Sequence, residues 1–229
     1  MSDAAAEVLS RLASVRERIE HAGRPAHEVT VIAVAKGFGA DAVAAAVAAG
    51  LHDIGENYAR ELVEKAAQVS AGPASSIEPG AQPRWHFLGT VQQGRVARLA
   101  GVVDLWQGVD RLAAGKYIAH HRPGAVVLVQ VNLTGAPERN GVAWHDAAEL
   151  VDALSGLGLA VQGLMGIAPP TDARPSFRRL AALNDELGLP ELSMGMTDDL
   201  EIAVEEGATM VRVGRGLFGP RPVHSQVRR

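Results

Sequence analysis

The sequence contains no cysteine in 229 residues, which excludes a disulfide framework, a thiolate metal site and thiol redox chemistry. It also lacks a long apolar run. No stretch approaches the length of a membrane span, and the N-terminal "MSDAAAEVLSRLASVRERIEHAG" has neither the basic segment nor the unbroken apolar stretch of a signal peptide. A soluble, cytoplasmic protein is expected. Formal net charge is -4 and no concentrated basic stripe is present, so nucleic acid is not an expected partner. There is no Walker loop, no complete dinucleotide fingerprint and no G-x-S-x-G stretch. "HDIGE" and the pair His120 and His121 have no second cluster to complete a metal site, so a bound metal is not expected. Lysine is the scarcest cation: of 22 basic residues only Lys36, Lys65 and Lys116 are lysines.

What is present is 47% hydrophobic and 21% charged, enough apolar material for one well-buried domain. Val8, Leu12, Val15 and Ile19 recur at helical spacing between a Ser2 cap and Gly23, which predicts an opening amphipathic helix. From Val29 onward short apolar runs alternate with helical stretches. The runs are "VTVIAVA", "LHDIG", "WHFLG", "VVDLWQG", "AVVLVQVNL", "LAVQGLMGI", "ELSM" and "TMVRVG", each followed by a helical segment. Eight strand-helix units predict a closed (β/α)8 TIM barrel with an extra N-terminal helix, a doubly wound open sheet being the alternative. The barrel domain is expected to span 1–221. Residues 70–84 are expected to form an extended surface loop, and 222–229 a flexible tail.

In such barrels the site is built at the carboxyl ends of the strands, which places Lys36 at the mouth, directly after strand one. Lys65 and Lys116 lie on amphipathic helices and are expected to be solvated charges on outer faces. Lys36 has apolar residues before it and glycines behind it. A partly desolvated ammonium there has a lowered pKa and becomes an amine nucleophile able to form a Schiff base with a carbonyl compound. After strand eight, "RVGRGLFG" places Gly214 and Gly216 where backbone N–H groups can hold a phosphate. Asp198 and Asp199 are expected to satisfy the start of the preceding helix, with Ser193 and Gly195 as further donors. Arg212, between Val211 and Val213, either meets a ring nitrogen or carboxylate of a ligand or forms a structural ion pair. Glu56 and Asn57 end strand two, Asn57 as a ligand contact or a helix cap. His86 either lines the mouth or packs in the interior.

"VIAVAK", "DIGENYARELVEKA", "WHFLGTVQ", "LVQVNL", "GLMGIAP", "LSMGMTDDLEIAVEEGATMVRVG" and "LFGPR" occur in this order. Over residues 5 to 221 the chain resembles the pyridoxal-phosphate homeostasis (YggS/PROSC) family. The resemblance implies a single-domain barrel similar to the N-terminal domain of alanine racemase, with pyridoxal 5'-phosphate on Lys36. It further implies that Ser193 with the backbone of Gly214 and Arg215 holds the phosphate, and that Arg212 faces the pyridine nitrogen. A cation there disfavours protonation of the ring and weakens it as an electron sink. The sequence departs from the family pattern at "GFGAD" after the lysine, at "TVQQGRV", and at Arg215, where threonine is common.

The resulting expectation is a monomeric carrier of the cofactor that acts in vitamin B6 homeostasis and delivers to apo-enzymes, not an enzyme. Racemases of this type use a second base supplied by a further β-domain, for which the chain has no length. The rival readings are a specialised pyridoxal-phosphate racemase using His86 or Tyr58 as second base, and a Schiff-base aldolase.

Overall fold

Period-two apolar runs become strands and period-3.6 runs become helices in the computed structural model, which describes residues 2–71 and 82–221. The strands are β1 (Thr30–Val34), β2 (Asp53–Glu56), β3 (Arg84–Phe87), β4 (Val103–Val109), β5 (Val126–Val131), β6 (Ala160–Gly166), β7 (Glu191–Ser193) and β8 (Met210–Val213). All neighbours pair in parallel, and β8 returns to β1 with Thr30 opposite Met210 and Ala33 opposite Val213. The sheet therefore closes into the expected eight-stranded barrel. The open-sheet alternative is excluded by that β1–β8 ladder.

The helices are α1 (Asp3–His21), α2 (Ala40–Ala48), α3 (Ala59–Ala71), α4 (Gln93–Leu99), α5 (Leu112–His121), α6 (Ala147–Gly156), α7 (Ala173–Glu186), α8 (Leu200–Glu205) and α9 (Arg215–Phe218). The Ser2 hydroxyl caps α1 by accepting from the Ala5 N–H at 3.3 Å. Its buried stripe is Ala5, Val8, Leu12, Val15 and Ile19, of which the four large residues contribute about 1.5–3 kcal/mol each. This helix precedes the barrel and braces its last loops. Arg18 donates to both Glu201 oxygens at 2.5 and 2.8 Å and to the Thr197 carbonyl at 2.8 Å, while Arg11 donates to the Leu217 carbonyl at 3.2 Å.

One apolar layer fills the space between barrel and helices. Inside the barrel, Ile32, Leu105, Leu128, Met165 and Met210 form a smaller apolar core. It is interrupted by buried polar side chains: His86, Gln107, Gln130, Ser193 and Arg212. Most of the loop expected over 70–84 and the whole tail 222–229 lie outside the described residues. At its described ends, that stretch belongs instead to α3, which runs to Ala71, and to β3, which starts at Arg84. Among the described residues no helix is long and apolar enough to cross a membrane.

Candidate functional site

A cavity of about 560 Å³ opens at the carboxyl ends of the strands, lined among others by Lys36, Asn57, Thr197, Arg212, Gly214 and Arg215. Lys36 reaches it from a β-turn closed by the Phe38 N–H donating to the Ala35 carbonyl at 3.0 Å. Gly37 has φ 76°, the third-position conformation that a type II turn requires and that glycine adopts without strain. The glycine behind the lysine thus turns the chain back toward α2 and leaves the lysine on the cavity wall. Phe38 then packs on Phe218 of α9, ring centroids 5.1 Å apart.

The turn is held from beneath by a buried charge cluster. The Lys65 ammonium donates to the Ala35 carbonyl at 2.8 Å, to Glu56 at 2.5 Å and to Glu61 at 2.7 Å. Glu61 in turn accepts from the Gly37 N–H at 3.1 Å, and Glu56 accepts from the N–H groups of Asn57 and Tyr58 at 2.7 and 3.0 Å. Both flanks of Lys36 and the backbone of Asn57 hang on one cation. The expectation that Lys65 is a solvated charge is therefore corrected. It sits in the buried stripe of α3 with Leu62, Ala66 and Val69, and two carboxylates make that burial tolerable. Lys116 is exposed, as expected. Burial pushes the Glu56 carboxyl above its ordinary value despite Lys65 beside it. Glu56 itself is fully buried and does not line the cavity.

Lys36 is half-buried, and burial, followed by the nearby Arg221 guanidinium, lowers its pKa; Glu56 opposes this and Arg212 adds to it. Arg212 is the second cation of the cavity. Its guanidinium donates to the Ser193 hydroxyl at 2.7 Å and to the Gly166 carbonyl at 2.8 Å. None of the ion pairs among the described residues includes it. Desolvation pushes its pKa down to about 10. Of the two readings open for Arg212, the structural ion pair is absent among the described residues and the cavity-facing one remains.

Asn57 does not cap α3; its Oδ1 is buried in the cavity wall with no hydrogen-bond partner among the described residues. Gly214 and Arg215 start α9 at the cavity edge, where the first N–H groups of a helix lack intrahelical acceptors. The Arg215 side chain donates to Asp198, also on the cavity wall, at 3.1 Å. Asp199 holds the turn before α8 by accepting from the Met196 N–H at 2.5 Å, rather than bonding the helix start.

Ser193 and Gly195 stand apart from the cavity wall. The Ser193 hydroxyl is fully buried and donates to Gln107 at 2.7 Å while accepting from Arg212. Gly195 turns the chain at φ 87° beneath α8, where a Cβ would lie 2.4 Å from that of Ala203. The hydroxyl on the wall is that of Thr197, four residues further on, beside Gly216. Sequence reasoning missed it because parity along β7 gives direction but not depth. His86 does not line the mouth. It faces a smaller cavity of about 180 Å³ with Thr30, Arg84 and Glu191, at the amino ends of the strands. Tyr58 is mostly exposed and lines a neighbouring cavity that does not include Lys36.

The alanine racemase N-terminal domain family matches residues 10–222. A protein named pyridoxal phosphate homeostasis protein, from Pseudomonas aeruginosa, is 38% identical over 96% of this chain and 97% of its own length. The solved structure of PipY from Synechococcus elongatus with pyridoxal phosphate bound superposes with a TM-score of 0.79 at 31% identity, covering 93% of this chain and all of PipY. Alanine racemase from Corynebacterium glutamicum shares the barrel at a TM-score of 0.66 and 17% identity, and this chain covers 63% of it. With the closed barrel, the strand-one lysine and near full-length similarity agreeing, the chain belongs to the alanine racemase N-terminal domain family and, within it, to the pyridoxal phosphate homeostasis proteins.

Proposed function

We propose that this protein binds pyridoxal 5'-phosphate in the cavity at the barrel mouth, with Lys36 supplying the amine that retains it covalently. It thereby keeps the free cofactor low and delivers it to apo-enzymes inside the cell. The observation that carries this reading is a pair of desolvated cations, Lys36 and Arg212, on the walls of one cavity and without a carboxylate ion-pair partner among the described residues. A cavity lined in this way is built for a ligand that is both anionic and reactive toward amines. The cofactor supplies an aldehyde that condenses with a primary amine. Thr197 and the N–H groups of Gly214 and Arg215 fit its phosphate, and the unpartnered Asn57 Oδ1 fits a donor on its ring. Arg212, a permanent donor, fits the ring nitrogen as acceptor and keeps it unprotonated.

The same residues favour a carrier over a racemase. Of the two residues weighed as a second base, His86 is bonded at the other end of the barrel and Tyr58 lies outside the Lys36 cavity. We read the carrier as a monomer, because the exposed large hydrophobic residues among those described, Leu9, Tyr58, Leu112, Ile167 and Met196, are few.

The test is the visible spectrum of the purified chain before and after borohydride, with peptide mapping, repeated on Lys36→Ala. A chromophore fixed on Lys36 by reduction is expected. A colourless chain that stays unmodified after incubation with pyridoxal phosphate overturns the reading. Because Lys36 titrates below its ordinary value of 10.5, its free-amine fraction, and with it the rate of capture, reaches half-maximum below that pH. A midpoint at 10.5 or above counts against a desolvated amine.

A further inference from the structure

The hydrogen bond from Arg212 to Ser193 is the last link of a chain that runs down the inside of the barrel. Ser193 Oγ is 2.7 Å from Gln107 Oε1, Gln107 Nε2 is 2.9 Å from His86 Nδ1, and His86 Nε2 is 2.9 Å from Asp53 Oδ1. Every member between the two ends is buried, and the five residues come from five different strands, β2, β3, β4, β7 and β8. Asp53 sits at the amino-end rim, where Arg84 also donates to it at 2.9 Å. Burial alone would raise the Asp53 carboxyl, but the bonds from His86 and Arg84 bring it below its ordinary value, so it stays an ionised acceptor.

The two ends determine every proton between them. A guanidinium only donates, so Ser193 Oγ accepts from Arg212 and must direct its single proton to Gln107 Oε1. The Gln107 amide is then oriented with Nε2 toward His86. His86 Nδ1 is forced to accept, so its proton rests on Nε2 and goes to Asp53, which only accepts. A doubly protonated His86 would have to flip Gln107, and Ser193 would then face two donors with no acceptor for its own hydrogen. The chain thus has one self-consistent arrangement, with a neutral histidine. The chain accounts for four of the five polar side chains, His86, Gln107, Ser193 and Arg212, that interrupt an interior otherwise filled by Ile32, Leu105, Leu128, Met165 and Met210.

We propose that Ser193, Gln107, His86 and Asp53 are positioning residues that hold the Arg212 guanidinium in its cavity-facing orientation, so that the retention and colour of the bound cofactor are set from the opposite end of the barrel. The proposal rests on the reading that Arg212 meets the cofactor ring. It reassigns Ser193 from holding phosphate to holding Arg212.

The experiment uses the full chain. Imidazole 15N spectra of the cofactor-free protein report which His86 nitrogen carries the proton. Affinity for pyridoxal 5'-phosphate and the visible absorbance maximum are then compared for Gln107→Leu, Ser193→Ala, Ser193→Thr and Arg212→Met. In the wild type, the proton is expected on Nε2 with Nδ1 an acceptor, and Gln107→Leu should abolish the acceptor signature. Gln107→Leu and Ser193→Ala should each weaken retention about tenfold and move the absorbance maximum in the direction that Arg212→Met moves it. Ser193→Thr, which keeps the hydroxyl, should stay within about threefold of wild type. A charged or Nδ1-protonated His86 in the wild type overturns the proposal. So do wild-type affinity and absorbance in Ser193→Ala, a deletion of one oxygen that decides alone if Gln107→Leu does not fold. If Arg212→Met binds and absorbs as wild type, the Arg212 reading itself falls.

Discussion

Replacing Lys65 by methionine tests how the turn that carries Lys36 is held. Methionine fills similar space but donates nothing, so Glu56 is left fully buried without its cation and the Ala35 carbonyl loses one of its donors, keeping the Phe38 N–H. Glu61 is affected less, being about one-third exposed and open to water. Breaking a buried ion pair from one side costs about 3–5 kcal/mol, which for a chain of this length lowers the melting temperature by about 6–20 °C. The pH dependence has a definite sign. Burial already holds the Glu56 carboxyl above 4.5 in the folded protein, with Lys65 as the chief opposing influence. Without Lys65 the folded value rises further. The folded state then keeps a proton that the unfolded chain has lost, so stability is present below the unfolded value and is lost as pH rises through the folded one. The deficit of the variant relative to wild type is therefore smallest near pH 4.5 and grows toward neutrality. Thermal and urea melts from about pH 4.5 to 8 measure it, and adding Glu56→Gln should recover most of the deficit at the upper end. A deficit below about 1 kcal/mol, or one independent of pH, would refute this account of Lys65.

Three further outcomes follow from the same geometry. Arg18→Ala removes the Glu201 pair and the donor to the Thr197 carbonyl; a loss of about 1–3 kcal/mol in urea melts should accompany weaker cofactor retention, although Arg18 does not line the cavity. Gly37→Ala places a Cβ at φ 76° and should cost about 1–2 kcal/mol, with slower borohydride-trappable labelling of Lys36; unchanged melts would mean the turn relaxes. Asn57→Ala deletes an oxygen that has no partner among the described residues, so stability should stay within about 0.5 kcal/mol while affinity falls, and a large stability loss would reveal a protein partner instead.

The barrel was legible because each strand carries an apolar run too short for a helix and each helix a periodic stripe. Even the three-residue β7 is bracketed by turn residues, Pro190 before it and Gly195 after it. Lys36 was legible because its neighbours carry no charge. Lys65 was not, since a lysine on an amphipathic helix ordinarily faces water. The available signal was its place in the stripe of Leu62, Ala66 and Val69 with Glu61 four residues before it. His86, Gln107 and Ser193 were legible as inward-facing at most. Alternation fixes the face of a strand, whereas the height at which a side chain meets its neighbours depends on register between strands far apart in sequence. That is why alternation alone does not tell that Thr197, and not Ser193, lines the cavity.

The return of β8 to β1, and the bracing of α8 and α9 by the first helix, bear on how the protein is made. The cavity takes Lys36 from the start of the chain and Arg212 and Gly214 from its end, and contacts of such wide separation form late. A nascent chain emerging from its N-terminus has Lys36 long before it has the strand that carries the second cation. On the proposed function, stable retention of the cofactor is thereby deferred until β8 has joined β1, and a truncated chain that ends before Met210 has the amine of Lys36 but neither Arg212 nor Gly214. Cofactor held on Lys36, under the proposed function, is in that sense a readout of barrel closure.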